Sequence, residues 1–147
     1  MIISLPIDAA SVLGDFSAAN SSAGAIVSFI GKVRGEGVDT LELEHHPTFS
    51  AKVIEAIGQD ARARFAIAEC LIVHRVGTLV PGETIVLAAA AGSHRRAAFE
   101  AVDYIMDRLK TEAPLWKREW RAGHGEWSEA RASDLADRAR WEIQLAD

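Results

Sequence analysis

The sequence predicts an α+β fold with a largely antiparallel sheet, flanking helices and a C-terminal hairpin. Several segments alternate or are rich in β-branched residues, as strands are, and residues 23–34 form the longest of them. Two segments, starting at Thr48 and Ser93, repeat apolar residues every three or four positions, which is typical of helices that pack on a core. The helices are too few and too irregular for a regular β-α-β alternation, which favours antiparallel strand pairing.

In the N-terminal third of the chain, the sequence predicts three strands and a short helix. Residues 2–7 form an edge strand, and Asp8 is placed to cap the short helix after it. Residues 23–34 form a long strand, and the Gly-Glu-Gly-Val-Asp segment that follows has the composition of a mobile loop. Residues 40–46 alternate apolar and acidic side chains, which predicts a strand with one buried face.

The middle of the chain predicts a helix followed by two apolar strands. The helix from Thr48 places five apolar side chains on one face: Val53, Ile54, Ile57, Ala61 and Phe65. Residues 70–77 and 84–91 are strands joined through a Pro-Gly turn.

The C-terminal third begins with the most regular helix of the sequence. From Ser93 it keeps a helical apolar period up to Lys110, and a proline lies just beyond its end. Residues 115–121 predict a strand, the Gly-His-Gly-Glu segment a turn, and residues 126–128 the return strand of a hairpin. A polar, charged helix from about Asp134 completes the chain.

Composition and charge exclude several classes of function. The chain has 147 residues and a formal net charge of −5, which predicts one domain, residues 1–147, and argues against nucleic-acid binding. No apolar run is long enough for a membrane span, and the N-terminus lacks the basic start of a signal peptide. Cys70 is the single cysteine, so neither a disulfide nor a thiolate zinc site is expected. We therefore expect a cytoplasmic protein.

A basic segment near the C-terminus is the strongest candidate site. Residues 108–121 carry five cations against two carboxylates in an acidic chain, which indicates a small anionic substrate or a partner's acidic tail, with solvated surface charge as the alternative. Lys110 lies in the last helical turn, where pairing with Asp107 is the alternative, and the break at Pro114 lets the chain bring Lys117 back toward it. Two such ammonium groups can bind an anion, stabilise an oxyanion and move a proton.

Two tryptophans alternate with the cations of this segment. Successive side chains of a strand point to opposite sides. If Trp116 and Trp120 face the core, Lys117, Glu119 and Arg121 therefore share the opposite face.

The start of the long helix is a second candidate site, because Ser93 is followed there by His94, Arg95 and Arg96. Unpaired backbone N–H groups and the helix dipole already favour an anion at this position, and the basic side chains would complete a phosphate or carboxylate site. Basic residues at this end also oppose the dipole, so orientation toward solvent is the alternative.

The remaining patterns argue against other chemistries. Residues 31–34 (Gly-Lys-Val-Arg) lack the upstream glycine and the Ser or Thr of a phosphate-binding loop. His45 and His46 are neighbours on a strand and point to opposite faces, so no metal site is expected. Cys70 lies in an apolar strand and is interpreted as a core residue rather than a nucleophile.

Taken together, residues 83–120 resemble the large, catalytic subunit of molybdopterin synthase. That family combines a His-Arg helix start with Ala-Phe-Glu-Ala, Leu-Lys and Pro-x-Trp-Lys-x-Glu, all of which occur here in order. The upstream segments AGAIVSFIGKVR, LELEHHP and VHRVGTLVPGE agree with the family, as does the downstream segment WSEARASD. The resemblance covers the chain from Ala23 to about Asp134.

The resemblance implies an α/β hammerhead-like fold and a sulfur transfer. In that family, cyclic pyranopterin monophosphate receives two sulfurs and becomes the dithiolene of molybdopterin. The sulfur arrives as a thiocarboxylate on the C-terminal Gly-Gly of a small ubiquitin-like carrier subunit, whose tail enters a pocket of the large subunit. The large subunit forms a homodimer within a heterotetramer. No cofactor and no metal are implied.

Matching the motifs residue by residue implies two catalytic lysines, Lys110 and Lys117. The substrate-binding residues implied in the same way are Lys32, Val33, Arg34, His94, Arg95, Arg118, Glu119 and Arg131, with Phe29 and Met106 in the pocket wall. A non-catalytic module that binds an acidic C-terminal peptide tail in a basic groove is the alternative. A nucleotide phosphohydrolase would need a metal cluster, for which the sequence offers no ligand set.

The implied site residues lie far apart on one predicted helix. Arg95 and Lys110 are 15 residues apart, which is roughly 22 Å along a helix axis. No Pro or Gly interrupts residues 95–113, so a kink is not expected. A two-fold dimer removes the conflict, because His94 and Arg95 of one chain can meet Lys110 and Lys117 of the other. We therefore expect a composite site.

Overall fold

The computed structural model describes residues 1–143 and contains eight strands and four helices in that range. In chain order they are β1 (Ile2–Ile3), α1 (Ala9–Ala19), β2 (Ala25–Lys32), β3 (Thr40–His45), α2 (Phe49–Arg64), β4 (Ile67–Arg75), β5 (Gly77–Leu79), β6 (Thr84–Gly92), α3 (Arg95–Glu112), β7 (Leu115–Arg121), β8 (His124–Ser128) and α4 (Ala132–Ile143).

The strands form two four-stranded sheets, ordered β1-β4-β6-β2 and β5-β3-β7-β8. All pairs are antiparallel except β1 with β4. The α+β class with largely antiparallel strands and a C-terminal hairpin is confirmed. The sequence did not indicate the division into two sheets, because the short strand β5, which edges the second sheet, has no pattern of its own.

The central strand β6 is covered on both faces, which explains its unbroken apolar run. Its four alanines are fully buried. Ala88 and Ala90 pack in a cluster with residues of α2 and α3, whereas Ala89 and Ala91 pack with Phe16 of α1. Side chains this small let the helices lie close to the sheet on either side.

The two long helices begin close to the predicted positions. Thr48 precedes α2, and the fully buried Ser50 fixes its first turn: the Ser50 Oγ accepts from His46 N (2.9 Å) and donates to the carbonyl of Pro114 (2.8 Å). His94 is the N-cap residue of α3, which runs without interruption to Glu112, two residues beyond the predicted end. The start of α2 is thus tied to the connection between α3 and β7.

The C-terminal helix α4 begins at Ala132, two residues before the predicted start, and packs on α3. Trp141 is buried, and its Nε1 donates to Asp107 Oδ2 (2.7 Å). The indole ring also meets Phe65 and Tyr104 edge-on. Arg138 and Arg108 both bond to Glu112. Residues 144–147, which the predicted helix included, lie outside the described residues.

Three predicted boundaries are wrong. The predicted strand over residues 70–77 is β4, which starts at Ile67 and ends at Arg75, and Gly77 already belongs to β5 in the other sheet. The first strand pairs only over Ile2–Ile3 and not over the predicted residues 2–7. The C-terminal hairpin turns at Ala122 and Gly123, not at residues 123–126, and β8 therefore begins at His124. Both turn residues have positive φ (47° and 80°), as a two-residue hairpin turn requires.

Candidate active site

A pocket of about 680 Å³ lies between the second half of α3, the end of β2, strands β3 and β7, and residues 128–134. It brings together ten of the residues singled out from the sequence: Phe29, Lys32, Val33, Arg34, Met106, Lys110, Lys117, Glu119, Arg121 and Arg131. Lys110 and Lys117 reach it from different elements, on either side of Pro114. The chain reversal expected from the proline is confirmed.

Six cations and four carboxylates line the pocket, although the whole chain carries a net negative charge. The cations are Lys32, Arg34, Lys110, Lys117, Arg121 and Arg131, and the carboxylates are Glu36, Glu119, Glu129 and Asp134. This local excess of positive charge suits an anionic ligand.

The pleat of β7 determines which of its side chains reach the pocket. Lys117 and Glu119 pair with Leu43 and Leu41 of β3, and they share the inner face with these buried leucines. Trp116 lies on the outer face and is 47% exposed. The tryptophans therefore do not face the core, although the grouping of Lys117, Glu119 and Arg121 holds. The inner face of β7 lines a polar cavity, so it carries charges where a strand would otherwise carry apolar side chains.

Glu119 lies between two cations of the pocket. Its carboxylate is 3.0 Å from Lys117 Nζ and 2.9 Å from an Arg121 nitrogen. The hydrogen bond from Lys117, together with that from Arg121, lowers the pKa of Glu119. Glu119 is therefore ionised near neutral pH and fixes the direction of the Lys117 side chain.

Lys110 faces a carboxylate supplied by α4. Its Nζ lies 3.4 Å from Asp134 Oδ1, and Asp134 Oδ2 accepts from the backbone N–H of Arg131 (2.9 Å). The bond from Arg131 lowers the pKa of Asp134, and the charge of Lys110 acts in the same direction. The start of α4 thus supplies an ionised partner for Lys110.

Arg118 lies on the outer face of the second sheet, away from the pocket. Its guanidinium group stacks against the rings of Trp120 (4.8 Å) and Trp127 (4.5 Å) and pairs with Glu42 (2.7 Å). Hydrogen bonds from Trp120 and Arg118 lower the pKa of Glu42. Within one chain, Arg118 thus supports the sheet and does not contact the pocket.

His94 and Arg95 lie at the opposite end of α3 and are exposed. They are not among the residues that line the pocket. Because α3 is continuous from Arg95 to Glu112, the separation expected from the sequence remains within a single chain.

His74 lines the pocket and was not singled out from the sequence. It is 8% exposed and lies on β4, next to Val86 of β6 in the sheet register. A histidine inside an apolar strand gives no signal that distinguishes a core residue from a pocket residue. Among residues 1–143, no three His, Cys, Asp or Glu side chains are grouped to hold a metal ion.

Comparison with known proteins identifies the family. The family model described as MoaE protein matches residues 2–112. The chain belongs to the MoaE family. It is 44% identical over 147 residues to the molybdopterin synthase catalytic subunit of Caulobacter vibrioides, covering 97% of this chain and 98% of that protein. The resemblance drawn from the sequence is confirmed, and membership places the chain among the catalytic subunits of molybdopterin synthases, enzymes of molybdenum cofactor biosynthesis.

Solved structures of MoaE relatives agree with the fold. The molybdopterin biosynthesis MoaE protein from Burkholderia ambifaria is similar with a TM-score of 0.83 and 40% identity, covering 96% of this chain and 95% of that one. A complex of subunits 1 and 2 of molybdopterin-converting factor from Helicobacter pylori matches with a TM-score of 0.77 and 20% identity, covering 88% and 90% of the two chains. At this identity the second likeness concerns the fold alone. No helix within residues 1–143 has the length and apolar character that crossing a membrane requires.

Proposed function

We propose that this chain transfers two sulfurs from a thiocarboxylated small carrier subunit to cyclic pyranopterin monophosphate, forming the dithiolene of molybdopterin. The observation that supports this most is the pocket, where Lys110 and Lys117 line one cavity together with four further cations. Such a cavity suits an anionic substrate whose cyclic phosphate ester opens during the reaction, because fixed cations stabilise the charge that develops.

The thiocarboxylate supplies the nucleophile in this proposal, so the chain needs no nucleophilic Ser or Cys. Cys70 is not among the pocket residues, and burial raises the pKa of its thiol, which disfavours the reactive thiolate. Lys110 is the principal catalytic group, as a proton shuttle or as a transient acceptor of the carrier's acyl group. Lys117, held by Glu119, assists and balances charge.

The small subunit is proposed to bind by inserting its C-terminal Gly-Gly tail into the pocket. The apolar part of the lining, which includes Phe29, Met106 and Leu109, suits a tail without side chains. The Helicobacter pylori chain that shares this fold belongs to a complex of subunits 1 and 2 of molybdopterin-converting factor, and an assembly of that kind is proposed here.

A homodimer within a heterotetramer completes the proposal. Strand β2 is an edge strand and exposes Phe29 and Ile30 (41% each), and α3 exposes Phe99 (59%). An exposed apolar edge strand invites pairing with another chain. A two-fold dimer would also let His94 and Arg95 of the partner subunit bind substrate beside the pocket of the first chain.

Turnover tests the activity. The protein is incubated with cyclic pyranopterin monophosphate and thiocarboxylated carrier, and dithiolene formation is followed. Lys110→Ala is expected to abolish transfer without unfolding the chain, because this side chain is half exposed. Lys110→Arg is expected to fail as well, since it keeps the charge but loses a titratable amine. Near-full activity of the arginine variant would reduce the role of Lys110 to charge alone.

Subunit mixing tests the composite site. A His94→Ala/Arg95→Ala protein is mixed with a Lys110→Ala protein under conditions of subunit exchange. Random pairing rebuilds about a quarter of all sites in a two-fold dimer, so that fraction of wild-type activity is expected. Absence of recovery in demonstrated heterodimers would mean that each site is built within one chain.

A non-catalytic module that binds an acidic peptide tail in the same basic pocket is the second candidate, favoured only by the local excess of positive charge. Such a module would bind the carrier and leave the pterin unchanged, so the turnover assay distinguishes the two.

A further inference from the structure

The pocket lining contains a largely buried histidine, His74, that the proposed chemistry does not use. Only 8% of the surface of His74 is exposed, yet this residue lines the cavity. The catalytic lysines are far more open, with side chains 54% (Lys110) and 40% (Lys117) exposed. His74 therefore marks the deep part of the pocket, whereas the cations mark the part nearer to solvent.

The hydrogen bonding of the ring defines which nitrogen can accept a hydrogen bond from a ligand. His74 Nδ1 lies 2.9 Å from the carbonyl oxygen of Arg75. A carbonyl only accepts, so Nδ1 carries the proton and donates it. Burial lowers the pKa of His74, and the N-terminal ammonium acts in the same direction, although the bond to Arg75 opposes them. The neutral ring then leaves Nε2 without a proton, as an acceptor. Within residues 1–143 the fully buried side-chain atoms that lack a hydrogen-bond partner belong to Arg75, so Nε2 is open to the solvent of the cavity.

A ligand that enters this part of the cavity displaces the solvent around Nε2 and must supply a donor in its place, because an acceptor left buried without a partner destabilises the complex. We propose that His74 Nε2 accepts a hydrogen bond from a backbone N–H of the Gly-Gly tail of the carrier and so positions that tail in the pocket. The inference rests on the proposed function, since the tail is the donor.

The tail fits this role better than the phosphate-bearing substrate does. The anionic substrate requires the exposed cations, whereas His74 lies beside the apolar Val86 in the sheet register, and the pocket lining also includes the apolar Met106 and Leu109. Glycine residues bring no side chain into this space, but their backbone N–H groups lose water on entry and must be paired. A neutral imidazole supplies that partner without placing a charge beside the tail.

Two protein variants separate the acceptor from the structural role of the ring. His74→Asn keeps a donor at the position of Nδ1, and with it the bond to Arg75, but removes the acceptor at Nε2. His74→Gln reaches the position of Nε2 with an amide oxygen. His124→Asn, on the exposed start of β8, is the matched control for loss of an imidazole.

The ligand is varied in parallel. Three carrier subunits are prepared by protein ligation. One ends in the unmodified Gly-Gly, the second has N-methylglycine as its last residue, and the third has N-methylglycine at the penultimate position. N-methylation removes the amide donor without changing the protein. Dissociation constants are measured by calorimetry for each carrier with wild type and variants, alongside turnover of the unmodified carrier.

We expect one of the two N-methylated carriers to bind wild type about 10-fold more weakly, which corresponds to about 1.4 kcal/mol. His74→Asn is expected to bind the unmodified carrier more weakly by about the same factor. The affinity of this variant for the N-methylated carrier should be no lower than its affinity for the unmodified one. His74→Gln is expected to recover most of the loss, and His124→Asn to bind like wild type. Non-additive losses of this kind identify a direct contact.

Other outcomes overturn the inference. If the unmodified carrier binds wild type and is turned over, but neither N-methylation nor His74→Asn weakens binding, the acceptor role is wrong while the proposed function stands. The same holds if His74→Asn raises the KM for the pterin alone, because the donor then belongs to the substrate. If wild type neither binds nor uses the carrier, both the inference and the proposed function fail.

Discussion

Replacing Asp107 by alanine should destabilise the protein far more than the same change four residues earlier at Asp103. Both carboxylates contact one nitrogen of Arg140, at 2.7 Å and 2.8 Å. Asp107 also accepts from the buried Trp141 Nε1 at 2.7 Å. The side chain of Asp107 is 11% exposed and that of Asp103 is 53% exposed. The pair therefore compares a buried with an exposed ion pair on the same helix and with the same partner.

The expected magnitudes follow from these contacts. Asp107→Ala leaves the indole N–H of Trp141 buried without an acceptor, a loss of about 1–3 kcal/mol. Loss of the ion pair with the half-exposed Arg140 lowers the free energy of unfolding by less than about 1 kcal/mol in either variant. Both substitutions exchange Asp for Ala inside α3, so the gain in helix propensity is the same and cancels in the comparison. We expect a difference of about 2 kcal/mol in the free energy of unfolding.

Urea unfolding, followed by tryptophan fluorescence and circular dichroism, measures both variants against wild type. The midpoint should fall strongly for Asp107→Ala and little for Asp103→Ala, with the same slope. Trp141→Phe, which removes the indole N–H, should reduce the effect of Asp107→Ala when the two are combined. Equal destabilisation by the two alanine substitutions would refute the assignment of Asp107 as the anchor of α4.

Gly14→Ala in the middle of α1 should stabilise the chain by about 0.5–1 kcal/mol, because no atom lies within 4 Å of the added Cβ. Gly24→Ala should destabilise it by about 1–3 kcal/mol, since its Cβ would overlap a backbone carbonyl at the β6–α3 junction; thermal unfolding measures both. Burial alone would raise the pKa of Glu112, but hydrogen bonds from its two arginines outweigh burial and lower it. Stability owed to Glu112 is therefore present above its unfolded pKa of about 4.3 and is lost as pH falls through the lower folded value. Glu112→Gln should therefore make the free energy of unfolding fall less steeply between about pH 6 and about pH 3, a range that spans this pKa. An unchanged pH dependence would contradict the assignment.

The parts of the fold with strong local patterns could be predicted from the sequence, and those set by tertiary context could not. The apolar run of β6 and the period of α3 gave their elements to within a few residues. The hairpin turn was misplaced because Ala122 adopts a left-handed conformation that non-glycine residues rarely adopt. The charged inner face of β7 could not be foreseen, since alternation alone does not say which face meets a cavity.

The candidate site shows the same division. Lys110 and Lys117 could be brought together from the sequence because a proline between them forces a reversal. Arg118 adjoins Lys117 in sequence but points to the other side of the strand and stacks on tryptophans instead. His74 could not be found, because its function as an acceptor depends on a hydrogen bond and a cavity that only the assembled sheet creates.

The attachment of α4 has a consequence for how the enzyme loses activity. This helix is anchored near its C-terminal end by Trp141, whereas Asp134 in its first turn and Arg131 just before it line the pocket. Most of its other side chains are exposed, so its release is a local opening that leaves both sheets intact and requires less free energy than global unfolding. On heating, the pocket would thus lose one wall while the circular dichroism of the sheets is still native. Inactivation would precede denaturation, and the contacts that hold α4 on α3, with the Trp141–Asp107 hydrogen bond among them, would set the temperature interval between the two.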